Sequence, residues 1–248
     1  MRILAHRGAP GNEQQENTIA AVTAALDAGA DGVEVDLRLS ADGVLVLSHD
    51  PDLGRLSGLP LPVADRTWEQ LRAAADVRGL ALARVEWLLA AAAGRAVVLE
   101  LKSPPPAPGA RARTAAALVE RLCGLHAAGL PLSVTVSSFD ARLLAELRTS
   151  APSPLRIRTA LLGMPGRRPA SLLRAALAAG HEEVHPHVVD VVGAPRAVTA
   201  AHACGVALVP WTVNGPRAIR RCADLGVDGL ITDVPVLAAA ALLHRSAA

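Results

Sequence analysis

Aromatic side chains are almost missing from this sequence: its 248 residues include no Tyr, one Phe and three Trp. Hydrophobic residues nevertheless make up 51% of the chain, so we expect a sizeable core built from Ala, Leu and Val. A chain of this length forms one large domain or two small ones, and α/β barrels often reach it.

An excess of one charge, metal-type cysteine spacing and long apolar runs are also absent. The net charge is +2, from 25 Lys and Arg against 23 Asp and Glu, without a basic arm or an acidic tail. This balance argues against a nucleic-acid partner. The three scattered cysteines, Cys123, Cys204 and Cys222, fit a reducing compartment. No membrane-length apolar run and no signal peptide are recognisable, so we expect a cytoplasmic protein without stable membrane insertion.

Two carboxylates lie two residues apart in the short apolar run at residues 32–37. Aliphatic side chains alternate there with Glu34 and Asp36, which is the period of a β-strand, so both acids point to one face. On a buried strand these carboxylates would repel each other and lose their hydration. A bound cation would offset both costs.

Eight predicted strands alternate with predicted helices along the chain. They cover residues 3–6, 33–37, 97–102, 133–137, 157–162, 183–188, 206–213 and 229–232. A hairpin signal at Ala41–Gly43 adds a strand after the second, and an irregular excursion follows at 52–66. The pattern predicts one domain over residues 1–248, a single (β/α)₈ TIM barrel with this small excursion. An open, doubly wound parallel sheet is the alternative.

The C-terminal ends of barrel strands carry the functional groups of such folds. Glu34 and Asp36 meet there with Glu100, which shares the face of a second strand with Lys102. Carboxylate oxygens without a neighbouring Cys suit a hard ion, so we predict one divalent cation, Mg²⁺ or Ca²⁺. The alternative is ion pairing without a metal, with Arg7, Arg38 or Lys102 as the partners.

Two histidines, His6 and His49, are the candidates for acid–base chemistry, because histidine titrates near neutrality. Arg7 and Lys102 add positive charge at the same barrel mouth, which suits a phosphate group. Lys102 is also a candidate for a Schiff base of the aldolase type. Glu100, on the same strand face, would keep that lysine charged and so favours the phosphate role.

Other polar residues receive structural interpretations. Asn17 is expected to cap a helix, and Asp233 to cap the last one. His185 shares a strand face with His187, so one of the two could reach the barrel mouth. The histidines of helices and turns are expected to be solvated: His126, His181, His202 and His244.

Taken jointly, the motifs resemble the glycerophosphodiester phosphodiesterase family. The matching stretches follow the family's order through the whole chain: His6-Arg7-Gly8, Glu16-Asn17-Thr18, residues 29–36, Asp42-Gly43 leading to His49-Asp50, Glu100-Leu101-Lys102, Ser138-Phe139, residues 211–214 and residues 226–233. The resemblance implies a metal-dependent hydrolase that cuts a glycerophosphodiester, its small-molecule substrate, into glycerol 3-phosphate and an alcohol.

The resemblance also implies a role for each matching site residue. Ca²⁺ or Mg²⁺ is held at Glu34, Asp36 and Glu100. The residues that act as base and acid match His6 and His49, and the phosphate is bound at Arg7 and Lys102. Trp211 matches a residue that lines the glycerol side of the pocket.

The sequence departs from the family pattern in two places. Gln15 stands where the family usually has proline, and Arg84-Val85-Glu86-Trp87 replaces a helix start of the Pro-Thr-Leu-Glu type. Neither change removes a proposed catalytic group, and both bear on the shape of the substrate entrance.

Two other functions stay open on the same barrel. A lysophospholipase D or phosphoinositide-type phospholipase would need an apolar entrance, for which the excursion offers Leu53, Leu56, Leu59 and Leu61. A barrel that binds phosphorylated ligands without catalysis is the second, and the presence of both histidines and all three acids counts against it. The sequence pattern indicates neither the oligomeric state nor the alcohol group of the substrate.

Overall fold

The strands of the chain form one curved sheet. The computed structural model describes residues 1–9, 15–58, 60–150 and 157–243. Its strands are β1 (Arg2–His6), β2 (Gly32–Leu39), β3 (Leu45–Leu47), β4 (Ala96–Leu101), β5 (Ser133–Ser138), β6 (Arg158–Leu162), β7 (Glu183–His185), β8 (Ala207–Leu208) and β9 (Gly229–Thr232). All except β3 run in parallel, in the order β8-β7-β6-β5-β4-β2-β1-β9, and β3 pairs antiparallel with β2.

The two ends of this sheet meet along an irregular segment that follows β8. Pro210 lacks the amide hydrogen of a regular ladder, yet its carbonyl accepts from the Ile231 amide at 3.0 Å. Val213 donates to the Ile231 carbonyl at 2.9 Å, and Asp228 donates to the Leu208 carbonyl at 3.1 Å. These bonds complete a nearly closed barrel of eight parallel strands. The (β/α)₈ TIM-barrel prediction is therefore confirmed, and the open-sheet alternative is wrong.

Helices connect the strands and cover the outside of the barrel. They are α1 (Ile19–Asp27), α2 (Gly54–Ser57), α3 (Trp68–Val77), α4 (Val85–Ala92), α5 (Ala110–Ala127), α6 (Ala141–Ser150), α7 (Pro169–Ala179), α8 (Val188–Val192), α9 (Ala197–Ala203), α10 (Pro216–Leu225) and α11 (Pro235–Leu243), with a 3₁₀ turn at Val63–Asp65. In the described part of the chain, no helix combines the length and the apolar character needed to cross a membrane.

Side-chain alternation along the strands separates two apolar cores. The odd-numbered aliphatic residues of β2 are buried in the large core between the barrel and its helices. The even-numbered Glu34 and Asp36 point the other way, into the barrel. A second cluster lies in the barrel interior and consists of Leu4, Val98, Val209 and Ile231. The acids therefore lie above an apolar layer of the barrel interior.

The excursion after β3 packs on the barrel through its own small core. Leu53 is 1% exposed and clusters with Val46, Val63, Trp68 and Leu71. The four leucines considered for a lipid entrance do not form one exposed patch: Leu53 is buried, Leu56 and Leu61 are partly buried, and Leu59 lies outside the described residues.

Two of the structural interpretations made from the sequence are wrong. Asn17 does not cap α1; Thr18 does, because its hydroxyl oxygen accepts from the Ala21 amide at 3.2 Å. His181 is buried rather than solvated, because it follows the C-terminal turn of α7 into the core and hydrogen-bonds Thr159 at 2.9 Å. His126 and His202 are exposed as expected, and His244 lies outside the described residues.

Candidate active site

Three neighbouring strands bring the acidic residues and one histidine together. The parallel register places His6 of β1 beside Glu34 of β2, and Asp36 of β2 beside Glu100 of β4. Ligand oxygens of Glu34, Asp36 and Glu100 all lie within 4.8 Å of one another. Because the three side chains are nearly buried, their charges interact in a poorly hydrated space, where repulsion is strong.

The three carboxylates differ in how their charge is compensated. Lys102 places its Nζ 2.7 Å from Asp36 Oδ1 and 2.6 Å from Glu100 Oε1. Burial would raise the pKa of Asp36, but Lys102 and Arg7 outweigh it and lower that pKa to about 2. Burial and the charge of Asp36 raise the pKa of Glu34 to about 8. Glu34 is thus the acid with the least compensated charge.

The acidic cluster fits a hard divalent cation. Its donors are three carboxylates converging from two adjacent strands, and the raised pKa of Glu34 marks a place where added positive charge would be favourable. The ion pairs proposed as the alternative are present on Asp36 and Glu100 through Lys102. The Arg38 guanidinium donates instead to the His49 carbonyl, at 3.1 and 2.8 Å.

His6 is oriented by a carboxylate from the opposite end of the chain. Its Nδ1 lies 2.6 Å from Asp233 Oδ1, and the Asp233 amide donates to the Asn214 side-chain oxygen at 2.9 Å. Burial lowers the pKa of His6, but the hydrogen bond to Asp233 and the charge of Glu34 outweigh it and raise that pKa. Asp233, which the sequence suggested as a helix cap, bonds His6 and Asn214 through its two carboxylate oxygens and so fixes the ring of a candidate catalytic histidine.

His49 has the same type of partner on the other side of the acids. Its Nδ1 lies 2.8 Å from Asp50 Oδ1. Burial and the charge of Lys102 lower the pKa of His49, the direction opposite to that of His6. In both histidines the carboxylate on Nδ1 leaves Nε2 as the ring atom available for proton transfer.

Arg7 follows His6 directly and is held against two acids. Its Nη1 donates to Glu16 at 3.2 Å, and its Nε lies 3.3 Å from Asp36 Oδ2. The backbone of Arg7 has a φ of +52°, which a non-glycine residue adopts only at a conformational cost. That conformation sets the amide of Arg7 3.2 Å from Glu34 Oε2.

Trp211 forms an aromatic wall on the far side of the barrel mouth. Its ring contacts those of Phe139 and His187, with centroids 5.5 and 5.1 Å apart. Its indole nitrogen donates to the His185 carbonyl at 3.0 Å, which fixes the tilt of the ring. Of the two histidines considered for the mouth, His187 lies against Trp211.

His185 belongs instead to a polar cluster inside the barrel. It is fully buried, and its Nε2 lies 3.1 Å from Glu183 Oε2. Glu183 is also fully buried and pairs with Arg158 at 2.9 Å and with Arg2 at 3.5 Å. Burial would raise the pKa of Glu183, but His185 and the two arginines outweigh it and lower that pKa to about 2.

The chain matches a known protein family over most of its length. Residues 6–237 match the model of the glycerophosphoryl diester phosphodiesterase family. The chain belongs to this family. A glycerophosphodiester phosphodiesterase of Bacillus altitudinis is 31% identical over 246 residues, covering 94% of this chain and 95% of the relative. The chain is therefore an enzyme of the phosphoric diester hydrolase class.

Solved structures of family members superpose on the whole barrel. The crystal structure of a protein from Silicibacter pomeroyi gives a TM-score of 0.83 at 31% identity and covers 99% of this chain and 94% of its own. That of the glycerophosphodiester phosphodiesterase from Thermotoga maritima gives 0.77 at 26% identity, covering 96% of each chain. Both superpositions therefore extend over almost all of this chain.

All eight site residues predicted from the sequence lie at the barrel mouth of this family member. The structure adds four that the prediction did not assign to the site: Asp233 and Asn214 behind His6, Asp50 behind His49, and Asn17 behind Asp36. The Asn17 amide donates to Asp36 Oδ2 at 2.9 Å, and its oxygen accepts from the Asp36 backbone at 3.0 Å. All four lie in stretches that the sequence analysis matched to the family, but only the fold shows what they contact.

Proposed function

We propose that this enzyme hydrolyses glycerophosphodiesters to glycerol 3-phosphate and an alcohol with one divalent cation and two catalytic histidines. The observation that carries the proposal is the pair of histidines, each with a carboxylate on Nδ1, beside three converging buried carboxylates. Two oriented proton carriers suit a reaction that takes one proton from a nucleophile and gives one to a leaving oxygen.

Substrate binding is assigned to the cationic groups of the mouth. Arg7 and Lys102 bring positive charge to the phosphodiester, and Glu34, Asp36 and Glu100 would hold the cation. When bound, a divalent cation supplies electrostatic stabilisation of the charge that develops on the phosphoryl oxygens. Trp211 would take the apolar face of the glycerol unit, since it forms the aromatic side of the mouth.

His6 and His49 would then share the two proton transfers. One Nε2 accepts the proton of the nucleophile, and the other donates a proton to the departing alcohol oxygen. The nucleophile is either the 2-hydroxyl of the substrate's own glycerol, which gives a cyclic phosphate that water opens, or water itself. Trapping a cyclic glycerophosphate supports the first route, and full turnover of a substrate without the 2-hydroxyl rules it out.

The ion pairs of Lys102 argue against the aldolase alternative. A Schiff-base lysine must lose its proton before it attacks a carbonyl. Burial lowers the pKa of Lys102, but the charges of Asp36 and Glu100 outweigh it and raise that pKa. Borohydride trapping with carbonyl substrates is therefore expected to leave Lys102 unmodified.

The deciding experiment measures glycerol 3-phosphate release from glycerophosphocholine and glycerophosphoethanolamine with Mg²⁺, with Ca²⁺ and with a chelator. We expect release that needs the ion and that falls about 10²–10⁴-fold in His6→Asn and His49→Asn. His202→Asn, which alters an exposed histidine, is the control. Release that resists chelation would refute the metal assignment. Release from lysolipids alone would favour the lysophospholipase D alternative, and no turnover of any diester would favour a binding barrel.

A further inference from the structure

A chain of five ionisable side chains joins the two sides of the mouth. It runs from Arg7 to Glu16, from Glu16 to Arg55, from Arg55 to Asp50 and from Asp50 to His49. Arg55 is its central member and lies in α2, on the excursion. Its Nη2 is 2.5 Å from Glu16 Oε1, and its Nε is 2.5 Å from Asp50 Oδ2.

We propose that Arg55 is a positioning residue of this enzyme, which holds Asp50 on the Nδ1 of His49 and Glu16 on Arg7. The inference rests on the proposed function, since it assumes that His49 transfers a proton. It also explains what the excursion contributes to catalysis, because α2 carries a guanidinium into the network behind the active site.

The geometry at Asp50 leaves its carboxylate little freedom. One oxygen bonds His49 at 2.8 Å, and the other accepts from the Arg55 guanidinium. A carboxylate held at both oxygens cannot rotate about its last bond without losing a charge-assisted hydrogen bond. When Arg55 is removed, the Asp50 carboxylate keeps its bond to the imidazole but loses its second anchor, and the ring of His49 loses its fixed orientation.

Packing and hydrogen bonds within the excursion fix the position of α2, which carries Arg55. Leu53, just before α2, is buried in the small core of the excursion, and the Ser57 hydroxyl donates to the Leu53 carbonyl at 2.7 Å. The Arg55 side chain is 48% exposed. An ion pair with that exposure adds little to folding stability, so the consequence of losing it should appear in catalysis rather than in the melting temperature.

Glu16 is the second group that Arg55 restrains. Its side chain is 13% exposed and receives both the Arg7 and the Arg55 guanidinium. Two cations on one carboxylate neutralise it, so Arg7 keeps positive charge for a phosphate. Arg55 thus acts on the phosphate side through Glu16 and on the proton-transfer side through Asp50.

The kinetic test compares Arg55→Ala, Asp50→Asn and the double variant. We expect Arg55→Ala to lower kcat about 10- to 100-fold, less than the loss of the histidine itself, with KM changed less than about threefold. The double variant should lose much less than the product of the two single effects, because both changes break the same support of His49 and only the Glu16 contact is lost in addition. Arg55→Lys should restore part of kcat. Arg66→Ala is the matched control, since Arg66 lies in the same excursion and its side chain donates to the neighbouring Asp65 carbonyl.

Three results would overturn the proposal. An unchanged kcat with a raised KM would limit Arg55 to substrate binding and refute its support of His49. Effects that multiply in full in the double variant would show that Arg55 acts independently of Asp50. Wild-type kinetics would leave Arg55 without a role. Should the wild type prove inactive on every diester, the proposed function fails, and nuclear magnetic resonance still tests Arg55. The Nδ1 proton of His49 should be visible in the wild type and in Arg66→Ala and broadened in Arg55→Ala; an unchanged signal contradicts the positioning role.

Discussion

Replacement of Asp233 by Asn tests whether the carboxylate behind His6 serves catalysis. Asn keeps the size of the side chain but removes the charge that faces Nδ1 at 2.6 Å. Hydrogen bonds to charged groups contribute about 1.5–3 kcal/mol, and 39% of the Asp233 side chain is exposed, which favours the lower end of that range. At about 1.4 kcal/mol for each tenfold change in rate, we expect kcat to fall about 10- to 30-fold.

The assay is glycerol 3-phosphate release under saturating substrate and metal, with the unfolding temperature measured in parallel. Asp228→Asn is the matched control: Asp228 pairs with His202 at 2.9 Å, just before the same strand β9 but at the opposite end of the barrel. The control should lose no more than about twofold in kcat. Equal kcat in Asp233→Asn and the wild type, with both proteins folded, would refute the orienting role of Asp233.

Three further predictions concern the metal ligands, the strand packing and the interior charge. Asn17→Gly keeps the left-handed backbone (φ +57°) but removes the amide that bonds Asp36; we expect about 10- to 100-fold weaker activation by the divalent ion, measured by metal titration. Gly32→Ala should prevent stable folding, because its Cβ would collide with the backbone oxygen of Ala96 in β4. The control is Gly124→Ala in α5, whose Cβ meets no described atom; it should raise the free energy of unfolding in urea by about 0.5–1 kcal/mol. Glu183, with a pKa lowered to about 2 from 4.5, contributes stability above pH 4.5 that is lost as the pH falls toward 2. Relative to Glu183→Gln this amounts to roughly 3 kcal/mol, so urea unfolding of the two proteins should converge at low pH.

The part of the fold and site that follows a local period could be predicted from the sequence. The alternation in β2 puts Glu34 and Asp36 on one face, and a barrel then brings them to the mouth beside Glu100. The strand count was sufficient for the barrel because each strand is a short apolar segment followed by a helix. Local periodicity could not show that β8 is only two residues long, since closure there depends on single hydrogen bonds to residues after it.

The residues behind the site could not be predicted in the same way, because their partners are distant in the chain. Asp233 lies 227 residues from His6 and stands shortly before a proline, so its local context suggested a helix cap. Asn17 stands before Thr18 at a helix start, where either residue is a good cap. Its positive φ is a tertiary property that turns its amide toward Asp36, 19 residues away. Contacts between residues so far apart in the chain follow from the tertiary structure and leave no local pattern in the sequence.

The barrel interior carries an apolar layer beneath the acids of the mouth. Each residue of the interior apolar cluster precedes a site residue by two positions, on a strand or in the extended segment that follows it, and this spacing keeps both on the inner face. The pairs are Leu4 and His6, Val98 and Glu100, Val209 and Trp211, and Ile231 and Asp233. This apolar layer keeps water from the underside of the acids, so their hydration is limited to the mouth. Weak hydration raises the pKa of Glu34 and strengthens the attraction of the cluster for a cation. The same two-residue alternation that packs the barrel therefore also gives its mouth the electrostatic character that phosphodiester chemistry requires.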